Sequence, residues 1–253
     1  MAPRSGKSGK FGKWSQQGSS LISLLVGLLL ALISTVVMMG LYKVALRSVF
    51  GSDGVVRNAR QDSALASGLL SAQIGVQEAG FGIASAAAGE HFLALKTASF
   101  AVAEGTLDGT VQAVSTTEAA VEAVLWESNP AQAADTGTWD CKALWSGLSA
   151  AGQPVLYLLE AAKPCHPVAS NFKKLKWSYT ALVPEQHLPT PVGLRVQRVD
   201  ACWPFGAVPT SISGLPPSSG TLQLRLISRN SSRGTGAEAA DRPFLICLPN
   251  FKS

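Results

Sequence analysis

Across 253 residues the chain is 47% hydrophobic but only 15% charged, with a formal net charge of +5. That length exceeds one small domain and suits a membrane stalk plus a globular domain of about 170 to 190 residues. Arg4, Lys7, Lys10 and Lys13 supply most of the excess charge, and without them the chain is nearly neutral, which argues against nucleic acid held by global electrostatics.

No charged residue occurs from Trp14 to Tyr42, and Leu21 to Tyr42 is dense in Leu, Val, Ile and Met. About 20 such residues in a helix span the hydrocarbon core, so a transmembrane segment is expected at about 21–42. A cleaved secretory signal has a shorter apolar region ending in small residues, whereas this one runs on through Met38, Met39 and Leu41. Lys43, Arg47, Arg57 and Arg60 nearly balance the basic residues ahead of the segment, so charge leaves its orientation open. Pro- and Gly-rich strands with an even cysteine set favour a C-terminal domain outside the cytoplasm.

Gly51-Ser52-Asp53-Gly54 interrupts the stalk and is expected to hinge it. From Asp62 to Ile83 a second helical stretch follows, with Leu65, Leu69, Ile74 and Val76 as an imperfect apolar stripe and Gly80 with Gly82 as its stop signal. Residues 84–120 are rich in Ala and Gly, and the alternation at Phe92 to Phe100 fits either a strand or a loop.

Clearer strand candidates are Val121–Trp126, Pro154–Glu160, Leu175–Val183, Val192–Asp200, Thr221–Ser228 and Phe244–Leu248. Leu222, Leu224 and Leu226 alternate with Gln223, Arg225 and Ile227, the period of a strand with one buried face. Segments 129–138, 203–220 and 229–242 read as loops. A long N-terminal helix followed by many strands gives an α+β class, the helix packing its stripe on an antiparallel sheet.

Cys141, Cys165, Cys202 and Cys247 all follow the apolar segment, without CxxC spacing. Three pairings are open to them as disulfides, of which the sequential one, Cys141 with Cys165 and Cys202 with Cys247, closes the shorter loops and is the one expected, with four buried thiols as the alternative. Zinc held by Cys141, Cys165 and His166 lacks a fourth ligand at suitable spacing. Three histidines (His91, His166, His187), no HExxH and no Gly-x-Ser-x-Gly give no basis for an enzyme or for a cofactor. Lys173, Lys174 and Lys176 lie beside Phe172, Trp177 and Tyr179, a mixture able to hold phosphates and stack bases. The plainer expectation is a strand with solvated lysines and with Trp177 and Tyr179 packed inward.

Two stretches carry a family resemblance. Lys13-Trp14-Ser15-Gln16-Gln17-Gly18, running directly into Ser19-Ser20-Leu21-Ile22-Ser23-Leu24, resembles the junction of type IV pilin precursors, and Ala79-Gly80-Phe81-Gly82 closing a helix resembles the turn of PilW-like minor pilins. The resemblance covers about the first 85 residues and implies a basic leader (1–18), a hydrophobic helix and stalk (19–83) and a periplasmic strand-rich domain (84–253). It further implies cleavage by a prepilin peptidase between Gly18 and Ser19, residence in the inner membrane, and partnership with other minor and major pilins in a pilus. Ser23 stands where the family carries Glu at the fifth mature position, and Ser19 replaces the usual initial aromatic or Met. A glutamate there is thought to meet a neighbour's N-terminal amine, so its loss fits a tip or priming subunit. Gly27 and Gly40 are the positions expected to permit close helix approach.

Overall fold

A computed structural model describes residues 21–51, 55–203, 220–228 and 242–251. The leader, the Gly18/Ser19 junction, most of the Gly51–Gly54 break and the interiors of the two late loops therefore lie outside the described residues. Two compact units result, Met1–Gly54 and Val55–Ser253. The first contains helix α1 (Leu21–Phe50), which runs eight residues beyond the expected span because Lys43 and Arg47 interrupt hydropathy without breaking a helix.

The second unit opens with α2 (Val55–Gln77) and continues with β1 (Phe92–Ala101), β2 (Thr106–Gln112), β3 (Ala119–Val121), β4 (Ala123–Ser128), β5 (Asp140–Leu148), β6 (Pro154–Ala161), a one-turn α3 (Val168–Asn171), β7 (Trp177–Val183), β8 (Gly193–Cys202), β9 (Gly220–Ser228) and β10 (Arg242–Leu248). An N-terminal apolar helix and an antiparallel, strand-rich remainder make the class α+β. The strand-rich unit includes α2, which packs Leu65, Leu69, Ala72 and Val76 into its core.

Six strands form one antiparallel sheet in the order β2-β1-β4-β5-β6-β7, and four form a second, β10-β9-β8-β3. The chain changes sheets between β3 and β4 at Glu122, whose N–H donates to the Leu95 carbonyl at 3.0 Å. One core lies between α2 and the two sheets and contains Phe92, Trp126, Leu144, Leu224, Leu226 and Phe251. The other face of the larger sheet buries Leu93, Leu95, Leu125, Trp145, Leu159 and Trp177. The sheet is thus covered on both faces, which is why β4 is buried along its whole length.

Three local features follow from this burial. Gly68 lets the α2 backbone rest on β7, since a Cβ there would lie 2.6 Å from the Leu182 carbonyl oxygen. A bulge in β1 at Lys96–Ser99 turns the Ala98 carbonyl to accept from the Trp145 indole N–H at 3.2 Å. The Cys202–Cys247 disulfide reaches from β8 to β10 across β9, and only glycine fits at the crossing because a Cβ on Gly220 would meet the two sulfurs at 3.0 and 2.6 Å.

Two orientation expectations need correction. Ile74 does not join the inner stripe of α2 but is 55% exposed, because Leu65, Leu69, Ala72 and Val76 define the buried arc and Ile74 lies outside it. Tyr179 is 46% exposed, lying over the rings of Tyr157 and Phe100 near the outer rim of the sheet, whereas Trp177 is buried.

Candidate functional site

The most unusual surface belongs to α1. Its 30 residues rise about 45 Å, more than a hydrocarbon core of about 30 Å requires. It is long and apolar enough to cross a membrane, and every one of its residues is exposed within the chain. Three of its hydroxyls turn back on the helix, Ser34 Oγ donating to Leu30 O, Thr35 Oγ1 to Leu32 O and Ser48 Oγ to Ala45 O, which lowers the cost of setting them in an apolar environment. At about 100° per residue, Ser23 and Gly27 fall on one face with Ala31 and Ser34, whereas Gly40 is turned about 140° from Gly27. A Cβ at either glycine would meet nothing within 4 Å, so each is a shallow notch in the helix surface.

A second surface lies on α2. No charged residue occurs between Asp62 and Glu78, and the side away from the core exposes Ala66, Leu70 and Ile74, with Phe81 exposed in the turn that follows. Water-facing helix surfaces ordinarily carry charge, so this face has the character of a contact surface. Ala79–Gly82 ends the helix through two left-handed glycines, Gly80 (φ 73°) and Gly82 (φ 72°). The turn is fastened at several points: Gly80 N–H donates to Glu127 O at 2.8 Å, Asn129 N–H to Phe81 O at 2.8 Å, and Asn250 Nδ2 to Ala79 O at 2.8 Å. A Cβ on Gly82 would stand 2.0 Å from the Asn129 carbonyl oxygen, so glycine is required there for space as well as for φ.

The basic and aromatic group is largely engaged within the protein. Trp177 is only 4% exposed and donates its indole N–H to Phe172 O at 3.0 Å, which removes it as a stacking surface for bases. All three lysines are exposed; Lys173 pairs with Asp108 at 2.7 Å, and Lys176 donates to the Glu104 carbonyl at 2.9 Å. The hydrogen bond from Lys173, joined by the Gly109 N–H, holds the Asp108 carboxyl below its ordinary range.

Sequential pairing is found for the cysteines: Cys141 with Cys165, and Cys202 with Cys247. Bonded to each other, Cys141 and Cys165 offer no thiolate to a metal. Beside that bond lies a cluster that sequence reasoning did not find. Glu127, fully buried on β4, accepts from the Val168 N–H at 2.5 Å and from His166 Nδ1 at 3.1 Å, and His91 Nε2 stands 4.0 Å away. His91 Nδ1 accepts from the Ala87 N–H at 3.2 Å, so Nε2 is the ring's N–H, and at 4.0 Å it is beyond hydrogen-bond reach of the carboxylate. The signal available in the sequence was slight: an acid ending an apolar run at Val124–Trp126, and two histidines distant from it in the chain.

No protein-family model, curated protein or solved structure matches the chain.

Proposed function

We propose that the chain is a minor type IV pilin of the PilW-like kind, a tip or priming subunit that docks its apolar helix among the helices of other pilins. The observation that carries this reading is the sequence of parts: a basic leader ending in Gly18, the charge-free opening of α1, and α2 closed by the Ala79–Gly82 turn on a disulfide-bonded sheet domain. In this reading prepilin peptidase cuts between Gly18 and Ser19, and α1 stays in the inner membrane until assembly. The Ser23/Gly27 face of α1 then approaches neighbouring helices closely, since van der Waals packing and small residues drive helix association in lipid. The charge-free outer face of α2 supplies a second contact.

Coexpression of the full chain with an active prepilin peptidase, followed by intact-mass measurement and N-terminal sequencing, is expected to give Ser19 as the first residue. A retained Met1 overturns the pilin reading. It would favour instead a bitopic periplasmic scaffold with an uncleaved anchor, the reading to which Ser19 and Ser23 lend support by departing from the pilin pattern. For the tip assignment, Ser23→Glu is expected to increase the copies of this subunit per pilus; unchanged piliation and stoichiometry would remove it.

A further inference from the structure

The pairing of β3 with β8 stops at Val121 and Leu194, because Glu122 turns away to bond the larger sheet, so Gly193 has no β3 residue beside it. A cavity of about 320 Å3 opens at this step, walled by Ala120, Val121, Pro191 and Ile227, with Gly193 adding no side chain and Arg195 among the lining residues. Arg195 stands directly opposite Arg225 on β9, a juxtaposition of like charges that is unfavourable unless offset. Glu118 pairs with both guanidinium groups, at 3.1 and 3.2 Å, and so balances one of the two charges. Arg225 Nε is buried and has no hydrogen-bond partner among the described residues. One positive charge is therefore left over beside an apolar cavity, with N–H donors to spare.

We propose that this pocket binds an aliphatic group that carries a carboxylate, the apolar part filling the cavity and the carboxylate accepting from the Arg195 guanidinium. Ligand pockets run from about 300 to 1,000 Å3, so this one takes a single small acid or the carboxyl end of a polypeptide. The one surplus charge matches a monoanion better than a doubly charged phosphate ester, and the guanidinium fork matches a carboxylate. A Cβ at Gly193 would lie 3.4 Å from Ile227 Cβ, an ordinary contact, so Gly193→Leu fills the cavity without a backbone clash.

The test is calorimetric titration of the full chain in lipid nanodiscs with N-acetyl-leucine, with N-acetyl-leucinamide, and with a pentapeptide ending in a free leucine carboxylate. The acids are expected to bind saturably, N-acetyl-leucine at least about tenfold more tightly than its amide. Gly193→Leu should abolish binding. Arg195→Gln removes a half-exposed ion pair and leaves Glu118 to Arg225, so it should spare the fold and erase the preference for acid over amide. A peptide that binds more tightly than N-acetyl-leucine supports the site with a polypeptide end as its ligand, and one that binds no more tightly supports it with a free acid. No saturable binding of either acid, equal affinity for acid and amide, a preference that survives Arg195→Gln, or undiminished binding by Gly193→Leu would each overturn the proposal.

Discussion

Removing the Glu127 carboxylate should weaken the strand-rich unit more than any surface change. The side chain has no exposure and accepts two N–H groups, from Val168 and His166, while its own backbone accepts from Gly80 and donates to His91. Glu127→Ala orphans both side-chain donors and leaves a gap beneath the segment that follows Cys165. Hydrogen bonds to a charged group are worth about 1.5 to 3 kcal/mol each, so a loss of about 3 to 5 kcal/mol is expected. Glu127→Gln should cost less, about 2 kcal/mol, because the amide oxygen can keep the Val168 N–H while its NH2 donates to His166 in the other tautomer. The assay is urea unfolding of residues 55–253, which bury their own core, followed by tryptophan fluorescence, with amide exchange at Val168 and Gly80 as the local readout. A cost under about 1 kcal/mol for the alanine variant would refute the network's structural role, and equal costs for the two variants would refute the tautomer argument.

The two disulfides should contribute unequally, because they close sequence separations of 24 and 45 residues. Loop-closure entropy gives about 3.5 kcal/mol for Cys141–Cys165 and about 4 kcal/mol for Cys202–Cys247, so paired Cys→Ala variants should show that order in their denaturation midpoints; a larger loss from the 141/165 pair would count against it. Burial, then the hydrogen bond to Glu185 at 3.2 Å, raises the Tyr157 phenol above its ordinary value of 10.0. The unfolded phenol therefore ionises first, so the stability this group contributes is full below about pH 10 and falls as pH rises further. Tyr157→Phe should flatten that alkaline decline, and an unchanged slope in pH-dependent unfolding would contradict the assignment.

Periodicity revealed what depends on neighbours close in sequence. The β9 leucines 222, 224 and 226 are buried on alternate positions as their pattern requires, and β6, β8 and β10 fall within two residues of their expected limits. Where a strand is covered on both faces burial does not follow period two: Phe92 to Leu95 in β1 are consecutively buried, Phe92 and Ala94 in one core and Leu93 and Leu95 in the other, so local pattern could not choose between strand and loop for this segment. β2 carries Asp108-Gly109, a turn signal, inside a strand, and Gly109 is there because a Cβ would press within 3.2 Å of Leu95 and Ala98 on the bulged neighbour. β5 mixes Lys142, Ser146 and Gly147 with its apolar residues and gives no strand period at all.

The sequence alone determined the apolar N-terminal helix, the stop at Gly80 and Gly82, and most of the later strands, since hydropathy, φ preference and period two act over a few residues. Only the tertiary structure decided that α2 belongs to the sheet unit, that Ile74 faces outward, which cysteines meet, and that Glu127 gathers donors from residues about 40 positions away along the chain. Those outcomes turn on which strands become neighbours and in what register, and on which face is then left uncovered. Such pairings are settled by packing across long loops, where no local preference reaches.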